Sequence, residues 1–210
     1  MPGLIEGAEV GCPDLSRWNY QKAFHINGEW LGQLSFKGVE QQRFDKVLPA
    51  DMTGMSMIDV GACYGLFCYE AVWRGATTVV AVDCDPEAIA LVQSVRDYYK
   101  LPITTVEMTI EAELLPLLGG RSRYDLALVL NILHHVGKRP GPLGTADAVL
   151  RNVLRVCNAV AIETPPIMRD QWPEWMSEVA DSQGFVLTAE GEASHLPEER
   201  RLVKMERMRF

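Results

Sequence analysis

Apolar positions along this chain follow two periods, and the pattern predicts strands separated by helices. Strand-like apolar stretches, short and rich in β-branched residues, occupy 55–60, 78–83, 103–108, 124–131, 159–163, 185–190 and 202–210. Helical spacing occurs at 39–49, 65–75, 85–100, 110–118, 145–157 and 173–184. This alternation predicts an α/β fold with a mainly parallel sheet and helices on both faces. The last two strands have no helix between them, so we expect an antiparallel pair.

Local signals set some boundaries of these elements. Asp85 precedes Pro86, which favours an N-cap followed by a proline in the first helical turn. Gly75 and Gly184 stand where helices are expected to end. Residues 1–35 are rich in glycine and are expected to be irregular.

A glycine turn follows the first long strand. In MIDVGACYGLF, Asp59 is followed by Gly61 and Gly65, but Cys63 and Leu66 stand where a dinucleotide fingerprint would place its other glycines. In a dinucleotide site the second glycine lets the backbone approach the pyrophosphate. Because Cys63 stands at that position, an NAD-dependent oxidoreductase is disfavoured. S-adenosylmethionine has no pyrophosphate, and its carboxylate could bind the free N–H groups at the start of a helix.

An acidic residue closes the second strand of this unit. Asp83 in VVAVDCDP follows the glycine turn by roughly 20 residues, the spacing at which a carboxylate binds ribose hydroxyls. Asp85 could compete for this role but is better suited to capping the next helix. Ligands of such sheets bind at the carboxyl ends of the strands, so we expect Asp59, Asp83 and Asn131–His135 to surround one site.

These motifs, IDVGACYG, VVAVDCDPEAI and YDLALVLNILHHV, resemble those of Rossmann-like class I S-adenosylmethionine-dependent methyltransferases over roughly 44–163. The resemblance implies a doubly wound, mostly parallel seven-stranded sheet with an antiparallel C-terminal strand. It implies that the first motif holds the methionine end of the cofactor, the second the ribose, and that the third ends beside the methyl group. The cofactor-binding residues so implied are Asp59, Gly61, Ala62, Cys63, Gly65, Asp83, Cys84 and Asn131, with Ile110 and Glu111 aligned to the adenine contact.

A narrower resemblance links the chain to enzymes that carboxymethylate or methylate the wobble uridine of tRNA. It rests on QQRFDKVLP, on IDVGACYGLFCYEAVWRGA and on ILHH. His134 stands where that subfamily has a tyrosine that helps to recognise a carboxylated cofactor. The resemblance makes tRNA an alternative acceptor.

Two adjacent histidines are the candidates for catalysis. His134 or His135 could act as a general base, or could cap the strand and pack beneath the loop. If the segment is extended, the two side chains point to opposite sides, and the match to the family favours His135 as the base. Asn131 could orient the acceptor. Glu163 ends the next strand and is either part of this site or a solvated acid at its rim.

The cysteines indicate neither a metal site nor a disulfide framework. There are five, with no C-x-x-C pair, which is typical of reduced thiols in a cytoplasmic protein. Cys63, Cys68 and Cys84 lack metal-ligand spacing with any histidine, so we expect no metal and predict that they are small buried apolar residues.

Composition narrows the class of acceptor. The net charge of −8 disfavours a nucleic-acid partner, whose binding depends on Lys and Arg, and no apolar run approaches a membrane span. No secretory signal precedes the fold, which favours the cytoplasm. We expect one domain over 1–210, with 51–210 as the cofactor-binding core and 1–50 covering the acceptor. The predicted activity is methyl transfer to an oxygen or nitrogen of a small molecule; a tRNA-modifying enzyme and a non-catalytic cofactor-binding subunit are the alternatives.

Overall fold

The computed structural model describes residues 21, 23–110, 113–136, 144–164, 172–192 and 201–208. The strands in these residues are β1 Ala23–Ile26, β2 Glu29–Gly32, β3 Ser56–Val60, β4 Thr78–Asp83, β5 Ile103–Glu107, β6 Tyr124–Leu130, β7 Cys157–Thr164, β8 Phe185–Glu192 and β9 Arg201–Arg207. The α-helices are α1 Lys37–Val47, α2 Leu66–Trp73, α3 Pro86–Tyr99, α4 Leu133–Val136, α5 Gly144–Val156 and α6 Trp172–Ser182. Of these described helices, none is long and apolar enough to span a membrane.

Seven strands form one sheet in the order β5-β4-β3-β6-β7-β9-β8. Strands β3 to β7 are parallel, whereas β9 pairs antiparallel with both β7 and β8. The predicted fold class, a doubly wound sheet with an antiparallel C-terminal strand, is confirmed.

Alternate side chains of the central strands enter separate cores on the two faces of the sheet. Met57 of β3 packs in the core that α1, α2 and α3 cover, and its neighbour Ile58 packs in the core that α4, α5 and α6 cover. Strands buried on both faces are mainly apolar along their whole length, which explains why β3, β4 and β6 could be predicted from the sequence.

The register brings the predicted polar residues to one edge of the sheet. Val60 pairs with Val82, and Leu130 pairs with Glu163. The residues that follow β3, β4 and β6 therefore emerge together at the carboxyl edge. The N-cap of α3 is also as predicted, because the Asp85 carboxylate accepts hydrogen bonds from the N–H groups of Glu87 and Ala88.

Two local expectations were wrong. Residues within 1–35 form the β1–β2 hairpin, whose turn places Asn27 and Gly28 at φ +50° and +86°. Both residues have positive φ, as a type I′ turn requires, and an Asn-Gly pair between apolar residues is the usual signal for it. The predicted helix at 110–118 is reduced to a 3-10 turn at Leu115–Leu118 in its described part. Pro116 explains this, since it lacks an N–H and disfavours helical backbone in the residue before it.

Candidate cofactor and acceptor site

The turn from β3 into α2 requires both of its glycines. Gly61 and Gly65 have φ values of +83° and +78°, in the left-handed region that favours glycine. A Cβ on Gly61 would lie 2.1 Å from Cδ1 of Ile132, and one on Gly65 would lie 2.9 Å from Cζ of Tyr69. The turn is therefore packed tightly against both the β6 end and its own helix.

Asp83 ties this turn to the end of β4. Its Oδ2 accepts from the N–H of Cys63 at 2.8 Å, and its Oδ1 accepts from the N–H of Asp85 at 2.9 Å. A carboxylate oxygen has two acceptor positions, so each oxygen can accept one further hydrogen bond. Asp83 can thus hold the turn and still bind the two hydroxyls of a ribose.

Asp59 is buried beneath the turn, with 3% of its surface exposed. Burial raises the pKa of this carboxyl from 3.8 to about 7; a hydrogen bond from Cys68 acts in the opposite direction, and the charge of Asp83 adds to the rise. The Sγ of Cys68 lies 3.5 Å from Oδ2 of Asp59. A cationic group brought near Asp59 would favour its charged form.

The chain changes direction directly after β6, at Asn131. Asn131 has φ +58°, its N–H donates to the Glu163 carbonyl at 2.8 Å, and its Nδ2 donates to Oε1 of Glu163 at 2.6 Å. Helix α4 then carries both histidines, whose ring centroids are 3.9 Å apart, with His135 exposed and His134 half-buried. The expectation that the two rings point to opposite sides was wrong, because neighbours on a helical turn are separated by about 100° and not 180°.

A buried ion-pair cluster adjoins Asn131 and was missed in the sequence. Arg43 of α1 lies 3.4 Å from Oε2 of Glu163 and 2.9 Å from Oε2 of Glu40, and its guanidinium lies 5.2 Å from the ring centroid of Phe67. Burial acts to lower the pKa of Arg43, but the two carboxylates outweigh it and the net shift is upward. Glu163 is fully buried, so the solvated-rim alternative was wrong. The available sequence signal for this cluster was the Arg43–Glu40 pair on the side of α1 that also carries apolar residues.

The other predicted residues are divided between the core and the surface. Ala62 and Ile110 are buried, and Glu111 lies outside the described residues. Cys68 is buried as predicted, but Cys63 is half-buried and Cys84, which follows the last residue of β4, is exposed.

The sequence matches one protein family over just under half of the chain. Residues 58–160, which run from β3 into β7, match the family described as "Methyltransferase domain". No curated protein sequence matches the chain.

Solved structures share the fold at low sequence identity. Magnesium protoporphyrin IX methyltransferase from Synechocystis PCC 6803 with bound S-adenosylmethionine is 16% identical, with a TM-score of 0.62 over 84% of this chain and 79% of that one. An S-adenosylmethionine-dependent methyltransferase from Mesorhizobium loti is 16% identical, with a TM-score of 0.60 over 82% of this chain and 100% of that one. The narrower resemblance to wobble-uridine enzymes is not supported by the domain match or by these structures. The domain match, on a sheet with this strand order, identifies the protein as a class I S-adenosylmethionine-dependent methyltransferase with S-adenosylmethionine as its cofactor.

Proposed function

We propose that the enzyme methylates an oxygen or nitrogen of a small-molecule acceptor, with a histidine of α4 as general base. The observation that carries this proposal is the pair of imidazole rings 3.9 Å apart at the carboxyl edge of the sheet, four residues or fewer beyond Asn131. The cofactor supplies an electrophilic methyl group on a sulfonium. His135 is the more exposed member of the pair and is therefore the first candidate for contact with an acceptor.

The turn and the strand ends fit the two ends of the cofactor. The open acceptor positions on Asp83 suit ribose hydroxyls, and the first turn of α2 offers backbone N–H groups to a carboxylate. Asp59 and Asn131 lie on the side of the turn assigned to the amino-acid end. Ile110 and Glu111 are assigned to the adenine side by the family resemblance.

One feature bears on the class of acceptor and another on where the acceptor binds. The net charge of −8 disfavours binding to a phosphate backbone. Helix α1 also belongs to the segment 1–50 that we expected to cover the acceptor, and its Arg43 contacts Glu163 directly beside Asn131. We therefore propose that α1 forms one wall of the acceptor site.

The reaction needs little covalent help from the protein. Holding the acceptor atom in line with the methyl group can supply ~7–11 kcal/mol of the barrier reduction. A base that removes the acceptor's proton adds ~10²–10⁴-fold in rate. His135 would take that proton on the ring nitrogen facing the acceptor, and Asn131 would orient the acceptor.

The test is transfer of a labelled methyl group from S-adenosylmethionine to a panel of small hydroxyl, carboxyl and amino compounds, with tRNA as a separate arm. With an accepted compound, His135→Ala should lower kcat by ~10²-fold or more and leave the Kd for S-adenosylhomocysteine within about twofold. His134→Ala, which alters the neighbouring half-buried ring, is the matched variant and should be milder.

Three results would contradict this proposal. Transfer to tRNA alone would replace the small acceptor with a nucleic acid. A larger loss in His134→Ala would exchange the roles of the two rings. A loss of only a few-fold in both variants would mean that no histidine base operates and that catalysis rests on positioning.

A further inference from the structure

The polar cluster beside the site contains residues to which the proposed function assigns no role. Arg43 and Glu40 of α1, Glu163 of β7 and Asn131 after β6 form this group, which we call the Arg43 cluster. Glu163 is 0% exposed and Asn131 is 8% exposed. Buried hydrogen bonds and ion pairs fix the orientation of the groups that make them.

The chemistry of Glu163 decides which way the Asn131 amide faces. A carboxylate only accepts hydrogen bonds, whereas an amide has a donor end and an acceptor end. The donor end, Nδ2, therefore faces Glu163 at 2.6 Å. Among the described residues none donates a hydrogen bond to Oδ1 of Asn131, and an amide oxygen accepts from a ligand with an N–H or O–H group.

The neighbour of Asn131 packs directly on the glycine turn. Cδ1 of Ile132 occupies the space where a Cβ on Gly61 would stand, at 2.1 Å from it. The proposed function places the amino-acid end of the cofactor at this turn. That end carries an ammonium, which is a hydrogen-bond donor and complements the Oδ1 acceptor.

We propose that Glu163 and Arg43 are positioning residues that hold the Asn131 amide with its oxygen towards the cofactor's ammonium. The inference rests on the proposed role of Asn131 in cofactor binding. Arg43 contacts the second oxygen of Glu163, and is itself held by Glu40 at 2.9 Å and by the face of the Phe67 ring. Helix α1 thus sets the affinity for the amino-acid end without touching the cofactor.

Two ligands separate this role from a general effect on the fold. S-adenosylhomocysteine carries the amino-acid end, and 5′-methylthioadenosine lacks it but keeps the adenosine and the thioether. In Glu163→Gln the new side chain has a donor as well as an acceptor and no longer fixes the amide. Calorimetry should show the Kd for S-adenosylhomocysteine rising about 10- to 100-fold, as expected for a lost hydrogen bond to a charged group, with 5′-methylthioadenosine within about twofold.

A second variant shows whether Glu163 acts through Asn131. Asn131→Gly keeps the positive φ of +58° without strain and removes the amide, so it should fold and show the same selective loss. Adding Glu163→Gln to it should cause no further loss, because the residue that Glu163 positions is already absent. If Glu163→Gln alone does not fold, Arg43→Gln, which removes the ion pair that holds the carboxylate, should show a smaller selective loss in the same direction, because Glu163 still accepts from Nδ2 of Asn131.

A matched control lies in another buried ion pair. Glu70 of α2 is 2% exposed and is held by Nε of Arg74 and by Nδ1 of His25, each at 2.7 Å. It lies in the later part of α2, away from the glycine turn that precedes the helix. Glu70→Gln should lower the melting temperature, as the loss of a buried charge partner does, but should leave the ratio of the two Kd values unchanged.

The outcomes distinguish failure of this inference from failure of the function on which it rests. If Asn131→Gly weakens neither ligand selectively, the proposed cofactor role of Asn131 is wrong. If Asn131→Gly shows the selective loss but Glu163→Gln does not, or if the two losses add, the positioning role is wrong. Equal weakening of both ligands by Glu163→Gln would show a distorted site and would also overturn the inference. Neither ligand involves an acceptor, so the result does not depend on the histidine base.

Discussion

Gly61→Ala should damage the protein through two separable effects, backbone strain and a steric clash. Gly61 has φ +83°, and the added Cβ would lie 2.1 Å from Cδ1 of Ile132, with Cγ1 and Cβ of the same residue at 3.3 and 3.4 Å. The left-handed backbone costs an L-residue about 1–2 kcal/mol. Forcing Ile132 aside in a packed region adds about 1–3 kcal/mol. The expected loss in the free energy of unfolding is therefore about 2–5 kcal/mol.

A second glycine isolates the strain from the clash. Gly54 has a similar φ of +76°, but a Cβ there would meet no atom within 4 Å. Gly54→Ala should therefore cost only the backbone contribution, about 1–2 kcal/mol. The assay is urea unfolding of both variants, accompanied by calorimetry with S-adenosylhomocysteine. Only Gly61→Ala should lose cofactor affinity.

Removing the Cδ1 methyl group of Ile132 should relieve the clash in Gly61→Ala. Ile132→Val deletes Cδ1 and should by itself cost about 0.5–1.5 kcal/mol. In the Gly61→Ala background the same change should be neutral or stabilising, because it makes room for the new Cβ. If Gly61→Ala costs no more than Gly54→Ala, or if Ile132→Val adds its full cost in both backgrounds, Ile132 does not pack against the turn as described.

Two acids of the site give further predictions. Asp83→Ala should weaken S-adenosylhomocysteine binding about 10- to 100-fold, since charge-assisted hydrogen bonds to ribose are lost. Asp125→Ala is the matched control: this acid also accepts a backbone N–H, from Ser56 at 2.8 Å, but at the start of its strand, so unfolding should be easier with binding unchanged. For Asp59, the folded-state pKa of about 7 lies above the ordinary 3.8, so the native state binds this proton more tightly than the unfolded state. In urea titrations without cofactor, the stability of the wild type relative to Asp59→Asn should fall as the pH rises from about 4 to about 7, by on the order of 1 kcal/mol per pH unit. A difference in stability that does not change with pH over this range would refute the raised pKa.

The parallel strands could be predicted because their signals lie in residues that are close together in the sequence. Strands β3, β4 and β6 are largely buried and appear as mainly apolar runs, and the Asp85–Pro86 pair marks the start of α3. The turn glycines and Asp83 were found for the same reason, because their spacing along the chain follows from a strand, a tight turn and a helix.

The missed features depend on pairings that local spacing does not encode. Arg43 and Glu163 are 120 residues apart in the sequence, and only the packing of α1 on the sheet brings them together. Helix α4 was missed because the apolar run of β6 continues through Leu133, whereas the left-handed backbone of Asn131 ends the strand before it. The β1–β2 hairpin, in contrast, carried a local signal in Asn27–Gly28 that was overlooked.

The insertion of β9 between β7 and β8 constrains the order in which the sheet can be completed on the ribosome. Strand β8 is synthesised before β9, yet among the described strands its partner in the sheet is β9. Until β9 emerges, β7 keeps an open edge and β8 has no strand to join. Open edges template pairing with other chains, so this is the interval in which a nascent chain is most exposed to aggregation. A chain that lacks β9 should therefore aggregate more readily than the full chain.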